Sequence, residues 1–128
     1  MLVAGIAGFR CPRAGNRGAS DRGASDRRIG NRGNEAYVLN YYAATIAANG
    51  DRPRALMLYQ QALAMNRELN KPDDEAVSLE GIAEHDIATG DLPQSAAHLR
   101  QALDIYQRLG MRAGIQRVTA RLAETTGR

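Results

Sequence analysis

One segment of this chain occurs twice, 40 residues apart, and that spacing limits the folds open to it. Residues 35–72 and 75–112 are identical at 12 positions, among them Glu35/Glu75, Ala36/Ala76, Leu39/Leu79, Ala43/Ala83, Gly50/Gly90, Asp51/Asp91, Pro53/Pro93 and Ala62/Ala102. Most of these residues are small or apolar. What recurs is therefore a packing pattern, not a duplicated active site. A repeat of this length marks units that cannot bury their apolar faces alone and must stack on one another.

Within each repeat the apolar spacing is helical. Leu39, Tyr42, Ala43 and Ile46 fall at i, i+3, i+4 and i+7, one face of a helix that is expected to open at Asn34. Gly50 suits the left-handed residue that ends such a helix, Asp51 suits the cap of the next, and Pro53 sits in its first turn, where a missing N–H costs little. The second helix carries Ala55, Leu56, Leu58, Tyr59, Ala62, Leu63 and Leu69 up to a break at Asn70-Lys71-Pro72-Asp73. A third helix is expected from Asp73 or Asp74, carrying Leu79, Ile82 and Ala83. Gly90 ends it and Asp91 caps a fourth, which runs through Ala96, Leu99, Ala102, Leu103, Ile105 and Tyr106 to Leu109 with Gly110 beyond. A fifth, over residues 113–124, carries Ile115, Val118 and Leu122. Nothing reads as a strand. The expectation is an all-α solenoid of about two and a half helix pairs: repeat 1 over 34–72, repeat 2 over 73–112 and a closing helix over 113–128.

Residues 1–33 differ in kind. They hold seven arginines against Asp21 and Asp26 and repeat Gly-Ala-Ser-Asp-Arg in tandem, whereas the rest carries ten basic and twelve acidic side chains. Such a segment offers too little apolar surface to offset its ordering entropy, so a disordered tail is expected. The chain's +3 charge thus belongs to the tail, and a nucleic-acid partner, the alternative reading, could be held only there. The tail lacks interleaved aromatics for base stacking. Cys11 is the only cysteine, which excludes an internal disulfide and fits a reducing, cytoplasmic setting. No apolar run reaches membrane-spanning length, and Met1–Phe9 lacks the flanks of a signal peptide.

The residues point away from catalysis, cofactors and metals. Asp91, Ser95 and His98 share a helical face, but the hydroxyl lies between acid and imidazole, the wrong order for a triad. His85 and Asp86 are neighbours on a helix and do not face each other. Glu80 and Glu84 lie one turn apart with no histidine at ligand spacing. The glycine-rich stretches match no phosphate-binding loop.

Helix, Gly-Asp turn, helix, with Leu39, Tyr42-Ala43, Ala55, Tyr59 and Ala62 answered by Leu79, Ile82-Ala83, Ser95, Leu99 and Ala102, resembles the tetratricopeptide repeat. The period of 40 exceeds that family's usual 34, and Asp86 stands where an apolar residue is usual. The longer period, with Glu-Ala opening each first helix, looks like the C-terminal repeats of LuxR-type and SARP-type transcriptional regulators. The resemblance implies a non-catalytic scaffold that binds protein or peptide, a truncated or detached module of such a regulator. It also implies a groove lined by the first helix of each pair. Carried over, the groove positions are Tyr37, Asn40, Ala44 and Ala47, then Glu80, Glu84 and Ile87, then Arg117, Ala120 and Glu124. Their acidic centre implies a basic or amphipathic peptide as partner. Tyr41 and Tyr42 have no preceding repeat to cover them. Another copy, Met1–Phe9 or a parent domain would do so, and self-association is the expectation.

Overall fold

The computed structural model describes the backbone of residues 24–126 and side chains from Arg32 onward. Among these residues every regular element is a helix: α1 (Ala24–Ala48), α2 (Arg52–Glu68), α3 (Pro72–Thr89), α4 (Leu92–Leu109) and α5 (Arg112–Thr126). The chain divides into two units, residues 1–32 and 33–128, and the repeated segments 35–72 and 75–112 lie in the second. No helix among the described residues is long and apolar enough to cross a membrane.

The turns repeat as closely as the helices. Gly50, Gly90 and Gly110 all take left-handed φ, at 98°, 88° and 69°. Asn70, one period before Gly110, does the same at 58°, as asparagine can with less strain than most residues. Asp51 accepts the Arg54 backbone N–H at 3.3 Å, and Asp91 accepts that of Gln94 at 3.2 Å. Each bond satisfies one of the four N–H groups a helix start leaves unpaired.

Two helix starts differ from expectation. α3 opens at Pro72, with Asp73, Asp74 and Glu75 in its first turn. Proline is favoured there because its missing N–H was an orphan anyway, and three carboxylates complement the helix dipole. α1 opens at Ala24, ten residues before Asn34, so residues 24–33 of the expected tail are helical. Gly30 and Gly33 cost the helix about 1 kcal/mol each relative to alanine without breaking it. At Gly33 the α1 backbone passes close to the Lys71 side chain. The rest of the expected tail, including the tandem pentapeptide's first copy and Met1–Phe9, lies outside the described residues.

Helix pairs pack in sequence order, α2 on α3, α3 on α4 and α4 on α5. The central cluster joins Ala76, Leu79 and Ala83 of α3 to Leu99, Ala102, Ile105 and Tyr106 of α4 and Val118 of α5. Full burial of leucine-sized side chains such as Leu79 and Leu99 contributes about 1.5–3 kcal/mol each. Two ring-into-glycine contacts set how closely neighbours approach. A Cβ on Gly81 would lie 2.2 Å from the Tyr59 ring, and one on Gly114 would lie 2.6 Å from the root of the Tyr106 ring. Of the α5 stripe, Val118 is fully buried and Ile115 and Leu122 are half-buried. Thr119 and Ala123, one period after Leu79 and Ala83, are exposed, because those positions in α3 face α4 and no described helix follows α5. Leu109 is also exposed, at the end of α4.

The irregular position of the repeat has a physical answer. Ile46 and Leu58 are buried in the first repeat, and Asp86 and His98 stand one period later. There the apolar pair is replaced by a polar one: His98 Nδ1 lies 2.7 Å from Asp86 Oδ2 across the α3–α4 contact. A carboxylate at a packing position is tolerable once a side chain from the facing helix supplies its partner.

Candidate peptide-binding groove

The groove positions inherited from the repeat pattern fall into two groups. α1 presents Tyr37, 61% exposed, and Ala44, also exposed. Asn40, between them, is 5% exposed. It accepts the Ser78 hydroxyl proton at 2.8 Å and donates to the Asp74 carbonyl at 3.3 Å. Its hydrogen-bonding groups join α1 to α3. Ala47 is half-buried and helps line a small cleft of about 100 Å³ with Leu56, Tyr59, Glu84 and His85.

On α3 and α5 the carboxylates are paired. Glu80 takes two bonds from Arg117, both 2.8 Å, and a third from the Tyr106 hydroxyl. Glu84 takes two from Arg121, both 2.7 Å, and Arg121 also reaches Glu124 at 2.6 Å. Arg117 lies 5.7 Å from the centre of the Tyr106 ring, a cation–π contact. Bidentate guanidinium–carboxylate pairs are the geometrically specific kind. Repeated one turn apart, they lay α5 beside α3 as a two-rung ladder. The acidic centre read from the sequence is therefore neutralised by Arg117 and Arg121. A spacing of 37 residues relates the partners in both rungs, so the signal was present in the sequence, but without a helix register it had no meaning.

These contacts shift proton affinities in defined directions. Burial raises the Tyr106 phenol well above its ordinary 10.0, and the bond to Glu80 raises it further. Burial also raises Tyr59, helped by the charges of Glu84 and Glu80. The hydrogen bonds to Glu80 and Glu84 hold Arg117 and Arg121 more firmly protonated than free guanidinium.

The residues that invited a triad reading are separated by their contacts. Asp91 caps α4, Ser95 is fully buried, and His98 is turned to Asp86. Among the described residues no cluster of histidine, cysteine or carboxylate side chains could hold a metal ion.

The family model of the tetratricopeptide repeat matches residues 34–108. That span covers α2 and α3, with α1 from Asn34 and α4 to within a residue of its end. Comparison with curated proteins and with solved structures gives no match.

Proposed function

Since the chain belongs to the tetratricopeptide repeat family, we propose that it is a scaffold that binds an amphipathic helical peptide along the side formed by α1, α3 and α5. The observation carrying this reading is the Glu80–Arg117 and Glu84–Arg121 ladder. It sets two first helices side by side, as a common floor requires. Tyr37 and Ala44 would supply apolar contact at one end, the cleft beside Ala47 a place for one side chain, and Ala120 and Glu124 the far edge. A purely basic peptide is disfavoured, because Glu80 and Glu84 would have to exchange intramolecular bidentate partners for solvent-exposed ones. An amphipathic helix needs no such exchange, since its apolar face supplies the attraction.

The 40-residue period and the Glu-Ala openings at 35–36 and 75–76 support a transcriptional regulator as parent, acting in the cytoplasm. The coding sequence upstream tests that parentage through the presence or absence of a DNA-binding or ATPase domain.

Titration calorimetry with three synthetic helical peptides tests the binding mode: Leu/Glu amphipathic, Leu/Lys amphipathic and all-polar. At least one amphipathic peptide should bind and the all-polar one should not. Ala120→Glu, at an exposed floor position, should weaken binding at least tenfold, whereas Met57→Glu, 68% exposed on α2, should leave it unchanged. Binding that survives Ala120→Glu and fails with Met57→Glu would move the site to the second helices.

A further inference from the structure

The outer face of α1 carries an exposed, uncharged stripe. Tyr37, Tyr41, Ala44 and Ala48 follow one another at spacings of four, three and four residues, and all are exposed. They form one stripe roughly 16 Å long on a helix of 1.5 Å rise. Between Asn34 and Ala48 the exposed positions are Asn34, Tyr37, Tyr41, Ala44, Thr45 and Ala48, none charged. Tyr37 and Tyr41 leave 61% and 66% of their surface open.

From this we infer that the chain self-associates through α1, two copies packing antiparallel about a two-fold axis between Tyr41 and Ala44. The palindromic spacing decides the orientation. Antiparallel pairing sets Tyr37 against Ala48 of the second copy and Tyr41 against Ala44, each ring against a small residue. The same rule operates inside the molecule, where Tyr59 packs on Gly81 and Tyr106 on Gly114. Parallel pairing sets ring against ring and alanine against alanine.

A further repeat docked in the manner of α2 on α3 does not fit this face. Tyr41 stands one period before Gly81, so the socket that admits a neighbour's ring in α3 is filled by α1's own ring. Four tyrosines at these exposures hide about 500 Å². With the alanines, Asn34 and Thr45 the interface reaches the small end of specific interfaces, about 1,000 Å², which fits a reversible dimer. Because Tyr37 and Ala44 also belong to the proposed peptide floor, dimer and peptide compete for them.

Sedimentation velocity of the full chain without peptide, over a hundredfold concentration range, tests this independently of the peptide-binding proposal. The weight-average sedimentation coefficient should climb from monomer toward dimer. Tyr41→Glu should hold the chain at monomer with an unchanged helical circular-dichroism signal, since the side chain is mostly in solvent. Ala44→Lys alone should do the same. Mixing the two variants should restore dimer, because Glu at 41 then faces Lys at 44 across the axis. A wild type that stays monomeric at every concentration, with the stripe open or covered by its own residues 1–23, overturns the inference. So does a dimer that Tyr41→Glu leaves intact, or a mixture no more dimeric than either variant alone.

Discussion

At Gly33, Gly81 and Gly114 the same substitution should act in opposite directions. All three glycines lie inside helices, where alanine is favoured by about 1 kcal/mol through the reduced freedom of the unfolded chain. At Gly33 a new methyl meets only the Lys71 side chain, at 3.5 Å and 3.7 Å, ordinary contact distances. Gly33→Ala should therefore stabilise by about 0.5–1 kcal/mol. At Gly114 the methyl would meet the root of the Tyr106 ring, which is 1% exposed and has no room to swing away. Gly114→Ala should destabilise by about 1–3 kcal/mol despite the propensity gain, and Gly81→Ala similarly through Tyr59. Urea denaturation of the three variants reads the signs directly. A gain at all three positions would mean that the rings do not rest on the glycines. The glycine sockets were not legible in the sequence. Gly50, Gly90 and Gly110 announced themselves by sitting between apolar stripes, but Gly81 and Gly114 sit within them, and only the facing ring explains their place.

Between elements, the α3–α4 contact offers an internal comparison. Asp86 and His98 occupy the positions that Ile46 and Leu58 occupy one period earlier, and both sets are largely out of water. Replacing a buried polar pair by well-packed apolar side chains is often neutral or stabilising by about 1–4 kcal/mol, whereas removing one partner strands the other at a cost of about 3–5 kcal/mol for a fully buried ion pair. His98 and Asp86 keep 17% and 12% of their side chains exposed, so the single losses should be smaller, about 1–3 kcal/mol. His98→Leu alone and Asp86→Ala alone should each lower the denaturation midpoint. Asp86→Ile with His98→Leu, which restores the first repeat's pair, should recover it or exceed wild type. A double variant less stable than both singles would show that the second repeat is packed differently from the first at this contact. The helices themselves were legible because apolar period, left-handed residue and cap coincide at every turn. The pairing of Asp86 was not: the sequence places His98 on a face with Asp91 and Ser95, and only the crossing of α4 over α3 turns it elsewhere. The Arg117 and Arg121 rungs were hidden for the same reason: the repeat pattern puts Arg117 in the same groove as Glu80 and Glu84, but only the placement of α5 against α3 pairs Arg117 with Glu80 and Arg121 with Glu84.

In the whole molecule, the proposed scaffold requires that the first helices form one surface while the second helices support it from behind. α2 and α4 bury Ala55, Tyr59, Ala62, Leu99, Ala102 and Tyr106 against their neighbours, and α5 is tied to α3 through side chains that remain partly in solvent. The number of repeats and their order followed from the period alone. The character of the surface did not, because exposure and pairing at Asn40, Glu80 and Glu84 depend on which helix lies opposite. The most direct measurement is an amide chemical-shift map of the chain, kept below its self-association range and titrated with the tighter amphipathic peptide. Saturable shifts should gather on α1, α3 and α5 around Ala44, Ala47, Glu84, Ala120 and Glu124. Shifts gathered instead on the outer faces of α2 and α4, around Met57, Gln60, Arg100 and Gln107, would contradict a groove built from the first helices.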